Sequence, residues 1–158
     1  MLIRDASTKD FIQMGSIFKQ VDGLHNEAHP EIFNPPIENA RSKEYIESVL
    51  QNEKSKLVVV IENDNIIGIA KADIESSPDI PLFTKREWLA ISTIVVDENY
   101  RGNGVGKKLL DYLYSWAKSQ EVYEVELTVF SFNESAISFY ENNGFKSYRV
   151  KMHKNISE

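Results

Sequence analysis

The 158-residue chain carries a formal charge of −6, with 42% hydrophobic, 27% charged and 11% aromatic residues, which suits one core of ordinary size and is too apolar for a disordered chain. It has no cysteine, so disulfides, thiol nucleophiles and Cys-ligated zinc are excluded, and its acidic balance speaks against a nucleic-acid binder, whose footprint is basic. No apolar run approaches the roughly 20 residues of a membrane span, and no basic segment with an apolar h-region opens the chain, so a cytoplasmic protein without membrane contact is expected.

In chain order, Leu2-Ile3-Arg4 reads as a short strand, and Ser7 or Thr8 can cap a helix whose Phe11, Met14, Ile17 and Phe18 recur at helical spacing. Residues 22–39, "DGLHNEAHPEIFNPPIEN", read as irregular because of their three prolines. A second helix is expected from Arg41 or Ser42 to Asn52, burying Tyr45, Ile46, Val49 and Leu50. Leu57–Ile61 and Ile66–Ile74 form a hairpin about the turn at Glu62–Asn65. After a polar loop at 75–86, Trp88–Val96 is apolar on both parities, which predicts a central strand covered on both faces. Leu109, Leu110, Leu113, Trp116 and Ala117 mark a helix, Glu124–Phe130 a strand, Asn133–Asn142 a helix stopped by Gly144, and Phe145–Lys151 a last strand. With no repeat, low-complexity tract or linker, residues 1–158 read as one α/β domain.

The chemistry concentrates in "VVDENYRGNGVGKKLLDYL", Val95–Leu113, where Gly102, Gly104 and Gly106 join a strand to a helix. Two phosphate motifs fail here. A P-loop would need glycine where Arg101 stands and Ser or Thr where Lys108 stands, and a dinucleotide fingerprint would need its third glycine at Lys107. What remains is RxxGxG before a helix: glycines let backbone approach a ligand, and consecutive N–H groups with the helix N-terminus favour an anion. Lys107 and Lys108 oppose the helix dipole there, which fits a bound anion; a glycine turn that merely tightens the corner is the competing reading. His25 and His29 stand at i, i+4 without the HExxH glutamate, and no metal site is expected.

With "VVDENYRGNGVGKKLL", the downstream "VFSFNESAISFYENNGF" and the element order over the whole chain, the sequence resembles the Gcn5-related N-acetyltransferase (GNAT) superfamily. The resemblance implies an α/β (α+β) fold with a mixed, mostly antiparallel sheet whose central strands splay, acetyl-CoA as acyl donor, an amine acceptor, and direct transfer without an acyl-enzyme. By position, the backbone of Ile94, Val95 and Val96 would receive the acetyl and pantetheine end, and the N–H groups of Arg101, Gly102, Asn103, Gly104, Val105, Gly106 and Lys107 would cradle the pyrophosphate. Asn133 would contact the pantetheine arm or cap its helix, with Ser135 beside it. Tyr140 would protonate the leaving thiolate, a phenol of pKa about 10 being able to do so; its i, i+4 spacing from Ala136 also suits a core stripe.

The general base is open. The Trp88–Val96 strand offers only Ser92 and Thr93, Glu87 stands at its entrance, and water is the further option. His25, Glu27, His29 and Phe33 are the acceptor-side candidates. A small-molecule amine is expected before a protein amine, and the frequent pairing of relatives makes a homodimer an expectation. The alternatives are a catalytically inactive CoA-binding regulatory protein and a nucleotide-binding module.

Overall fold

The computed structural model describes residues 1–157. Strands β1 (Leu2–Asp5), β2 (Ser55–Glu62), β3 (Asn65–Ser76), β4 (Glu87–Val96) and β5 (Val125–Leu127) form one sheet in the order β1-β2-β3-β4-β5. All neighbours are antiparallel except β4 and β5, which run parallel. The helices are α1 (Phe11–Ala28), α2 (Lys43–Gln51), α3 (Val105–Ser119) and α4 (Glu134–Asn142). The chain forms two compact units, Met1–Thr128 and residues 129 onward. The expected mixed, mostly antiparallel α/β architecture is present.

Within the first unit, side-chain parity divides the core between two faces of the sheet. Leu57, Val59, Ile69 and Val95 pack with Met14, Ile17 and Phe18 of α1 and Ile46 and Val49 of α2. The opposite parity presents buried Val58, Val60, Ala70 and Ala72, and α3 contributes buried Val105, Leu109, Leu110, Leu113 and Ala117. The turn between β2 and β3 holds Asn63 at φ 50° and Asp64 at φ 62°, the two left-handed residues of a type I′ hairpin. β3, the middle strand, is the most deeply covered, and it takes the place expected for β4.

Four further expectations are corrected. Tyr45 of α2, expected on the buried face, is 43% exposed beside buried Ile46 and Val49. α1 continues to Ala28 through residues read as irregular, because all three prolines lie beyond its end and Gly23 alone costs only about 1 kcal/mol. β5 keeps only Val125–Leu127 of the expected 124–130. Residues 145–157 form neither strand nor helix. Tyr148, Val150 and Met152 alternate as a strand face should but are 72%, 82% and 89% exposed, so no partner surface holds them in a ladder.

Candidate active site

β4 changes its edge partner part-way along. The parallel ladder with β5 runs through Leu89↔Val125, Ala90↔Glu126 and Ile91↔Leu127 and stops there. At the same point the register with β3 jumps from Ile91↔Ala72 to Thr93↔Lys71, leaving Ser92 as a bulge. The Leu89 N–H donates to Glu124 O of the β5 strand region at 2.8 Å, whereas the Asp97 N–H, beyond the bulge, donates to Ile67 O of β3 at 2.9 Å. Peptide groups alternate along a strand, so after the bulge Ile94 and Val96 turn their N–H groups away from β3, toward the edge where β5 pairing has ended. A bulge that re-aims backbone groups is a common device beside active sites.

The chain leaves this edge through a one-turn 3-10 segment, Glu98–Tyr100, into the glycine loop. Asp97 Oδ1 accepts from Asn99 N at 2.9 Å and from Asn99 Nδ2 at 3.1 Å. Burial pushes the Asp97 carboxyl up, but the hydrogen bonds from Gln20 and Asn99 outweigh it and hold the group below the usual carboxylate range. Arg101 turns its side chain back, Nε donating to Val96 O at 3.2 Å. Gly102 and Gly104 have φ of 78° and 75°, and a Cβ on either would meet nothing within 4 Å. Gly104 is the N-cap of α3, and the first turn closes with Lys108 N–H to Gly104 O at 3.1 Å. The N–H groups of Val105, Gly106 and Lys107 therefore precede the helix ladder and open outward, a ready anion site. Lys107 pairs with Asp111 one turn on, which gives that lysine a structural partner independent of any anion; Lys108 is exposed.

What brings α3 close enough to do this is Gly68 on β3, a residue the sequence reading passed over. A Cβ there would stand 2.9 Å from Val105 Cγ1 and 3.3 Å from Leu109 Cδ1. Gly68 pairs with Val96 on one side and Val60 on the other. A lone glycine inside the apolar run "IIGIA" was the available signal of such a close approach.

The face covered by α1 and α2 continues, past those helices, into a polar row. The registers align Ser55, Asp73, Ala90 and Glu126 across β2, β3, β4 and β5. Two carboxylates thus flank a methyl group on one face, their Cα atoms two strand spacings, or roughly 10 Å, apart. Asp73 binds Ser55 Oγ and Lys71 Nζ. Arg86 reaches Glu124 at 2.6 Å and Glu126 at 2.5 Å while lying 4.3 Å over the Trp88 ring. Thr93 lies on the same face, opposite Lys71. Ser92, exposed, donates to Lys71 O at 3.3 Å. Glu87 stands at the far end of β4 from the glycine loop and accepts from Lys54 and Ser76 at 3.3 Å and 3.1 Å.

The acceptor-side candidates divide. His25 Nδ1 lies 2.8 Å from Val21 O, its ring 5.1 Å from that of Phe33, and Asn26 Nδ2 donates to Phe33 O at 2.6 Å, so this segment clasps the end of α1. His29 pairs with Glu31 at 2.8 Å, and Glu27 is exposed. In the second unit, Asn133 caps α4: its Oδ1 accepts from Ala136 N and from Ser135 Oγ, both at 3.2 Å, which leaves the amide nitrogen out of the cap. Tyr140 is half-buried, its ring 5.3 Å from Phe139 and 5.5 Å from Phe145. Gly144, at φ 88°, ends the helix as expected. Among the described residues, no cluster of three or more His, Asp or Glu is arranged to hold a metal ion, and no helix is long and apolar enough to cross a membrane.

The chain is similar to several known proteins. An uncharacterized N-acetyltransferase of Methanocaldococcus jannaschii, MJ1207, is 30% identical over 106 residues, 67% of this chain and 46% of its own length. N-alpha-acetyltransferase 30 of Schizosaccharomyces pombe is 34% identical over 93 residues, 58% of this chain and 57% of its own. Glucosamine 6-phosphate N-acetyltransferase of Trypanosoma brucei is 34% identical over 89 residues, 55% of each. The matches thus span about half the length of these curated relatives. The solved structure of a tetramutant of BH1408 from Bacillus halodurans superposes with a TM-score of 0.91 at 28% identity, covering 99% of this chain and 100% of that one. A model of the acetyltransferase (GNAT) family matches residues 19–145, the stretch that holds the bulged strand, the glycine loop and the Asn133–Tyr140 helix, and the chain belongs to that family.

Proposed function

We propose that the protein transfers the acetyl group of acetyl-CoA directly to the amine of a small molecule. The observation that carries this is the glycine loop: two left-handed glycines with open space where a side chain would stand, leading into the free N–H groups of a fifteen-residue helix, at the end of a strand whose own N–H groups face an unpaired edge. These groups suit the pyrophosphate and the pantetheine amide, neutral donors for anionic and carbonyl oxygens.

Acetyl-CoA supplies an activated acetyl carbonyl. The residues of this chain do the rest. The N–H groups of Ile94 and Val96 hold the carbonyl region, and the one at Val96 stabilises negative charge as it grows on the oxygen. The loop from Arg101 to Lys107 fixes the donor's phosphates, so that transfer is chiefly a matter of position. The amine nitrogen bonds to the acetyl carbon as the carbon–sulfur bond breaks. The bound ammonium gives one proton to water before attack and the nitrogen gives a second to water as the amide forms, while Tyr140 gives its phenolic proton to the departing sulfur and takes one back from solvent. Asp73 and Glu126, on either side of Ala90, share their charge between Lys71 and Arg86 and a cationic acceptor bound over Ala90. The name of the Trypanosoma brucei relative, an acetyltransferase of glucosamine 6-phosphate, supports a small amine.

The test is a thermal-shift titration with acetyl-CoA, ATP and NAD, followed by thiol release with a panel of amines. At 100-fold over Kd a ligand adds about 2.7 kcal/mol, a rise of roughly 5–10 °C for a domain of this size. A shift with acetyl-CoA alone, with thiol released in the presence of an amine, is the expected result. Binding with no release for any amine would instead indicate a CoA-binding regulatory protein, and a shift with ATP or NAD alone would reject the reading.

A further inference from the structure

We infer that Gln20 of α1 is a positioning residue for the donor loop, an inference that rests on the acetyl-CoA reading of that loop. Its carboxamide is used at both ends. Nε2 donates to Asp97 Oδ2 at 2.9 Å, and Oε1 accepts from the Glu98 N–H at 3.1 Å. The two contacts fall on the residues where β4 gives way to the loop, immediately after Val96. The segment's other hydrogen bonds among the described residues come from the sheet and from the loop itself: Asp97 N–H to Ile67 O of β3, Asn99 to Asp97, Arg101 to Val96 O. Gln20 is the tie from another layer of the fold.

A second glutamine shows that the tie is specific in place and general in kind. Gln13 stands two turns earlier on the same face of α1. It donates from Nε2 to Asp64 O at 3.2 Å and accepts at Oε1 from the Ile66 N–H at 2.8 Å. Both glutamines dock α1 by pairing an amide with the margin of the sheet. Only Gln20 pairs with the segment that aims the Val96 N–H and launches the glycine loop. If docking were the whole purpose, the two positions would be equivalent. If Gln20 also sets the loop, ligand binding separates them.

The polarity of the pair can be reversed. In Gln20→Glu two carboxylates face each other, and in Asp97→Asn two amide NH2 groups do. In the double variant the new amide nitrogen at position 97 can donate to the new carboxylate at position 20. That carboxylate still accepts from the Glu98 N–H, and the amide oxygen kept at position 97 still accepts from Asn99. The experiment measures acetyl-CoA affinity by calorimetry, and melting temperature without ligand, for the full-length protein and the variants Q13A, Q20A, Q20E, D97N and Q20E/D97N. Loss of a hydrogen bond to a charged group weakens binding roughly tenfold when the geometry it holds is used by the ligand. The expected result is that Q20A, Q20E and D97N weaken acetyl-CoA about tenfold or more, the double variant returns to within about threefold of the parent, and Q13A lowers the melting temperature with affinity unchanged. Equal behaviour of Q13A and Q20A, with stability reduced and affinity intact, would overturn the inference and leave Gln20 a docking residue. A parent protein that binds no acetyl-CoA would overturn the transferase reading itself, and this is seen before any variant is made.

Discussion

Replacing Gly68 by alanine tests the claim that helix–sheet spacing sets the donor loop. The added Cβ would stand 2.9 Å from Val105 Cγ1 and 3.3 Å from Leu109 Cδ1, inside ordinary contact distance for both. β3 cannot retreat, since Gly68 is paired on both sides, to Val60 and Val96. Val105 and Leu109 are 1% and 0% exposed, so neither side chain can swing out into solvent. The N-terminal turn of α3 must therefore lift, taking Gly104 and the N–H groups of Val105, Gly106 and Lys107 with it. Overpacking of this kind costs about 1–3 kcal/mol, and for a domain of this size the melting temperature should fall by roughly 3–10 °C. The displaced cradle is the more telling effect, because a misplacement of about 1 Å can cost up to 100-fold in a positioned reaction. Thermal unfolding with and without acetyl-CoA reads both: the ligand-free melting point falls and the ligand-induced rise shrinks. A G68A protein that melts and binds like the parent would refute the argument that this glycine spaces the helix.

Tyr140→Phe keeps the ring between Phe139 and Phe145 and removes the phenolic proton; kcat should fall about 100-fold or more with KM for acetyl-CoA nearly unchanged, and a loss under threefold in steady-state thiol release would end its role as acid. Asp73→Asn and Glu126→Gln should raise KM for a cationic amine while leaving acetyl-CoA affinity alone, which paired titrations of the two substrates would check. Asp10 accepts two bonds from Arg4, both at 2.8 Å, and one from the Ser7 N–H at 2.7 Å. The Arg4 guanidinium, ahead of burial and assisted by Ser7, holds its carboxyl below the ordinary value of 3.8. The unfolded chain thus binds the proton more readily, so this pair stabilises above about pH 4 and its contribution is lost as pH falls through the lowered value. Asp10→Asn should cost about 1.5–3 kcal/mol at neutral pH, and its deficit in denaturant titrations should shrink as the buffer is made more acid; a constant deficit would contradict the assignment.

The parts of this protein that can be read along the chain are those whose physics is local. The periodicity of α3, the Asn63–Asp64 turn and the left-handed Gly144 are each set by a few adjacent residues, and each is where the sequence places it. The end of α1 is less legible, because the three prolines that suggest an irregular stretch all lie beyond residues that a helix tolerates. The pattern at 145–151 misled for the opposite reason: alternation is necessary for a strand but a ladder partner is what makes one, and no local signal reports the partner.

The same division runs through the candidate site and bears on what it can recognise. The proposed donor half is backbone, one strand end and one helix start joined by a short loop, and a backbone cradle needs only glycines in the right order, so it is visible as "RGNGVG". The proposed acceptor half has no such compactness. Its polar row draws Asp73 from β3, Ala90 from β4 and Glu126 from β5, and these residues become neighbours only through the register of three strands. The Ser92 bulge, which turns Ile94 and Val96 outward, likewise exists only as a mismatch between two strands. A strand whose own carboxylate, Glu87, stands at the far end from the loop therefore does not imply a site without one: the charge proposed to select an amine sits one strand to either side, where substitutions should tune the acceptor without disturbing the N–H groups proposed to hold the donor. That separation is what the Asp73 and Glu126 variants examine, and it predicts that acceptor KM and acetyl-CoA affinity respond to different residues.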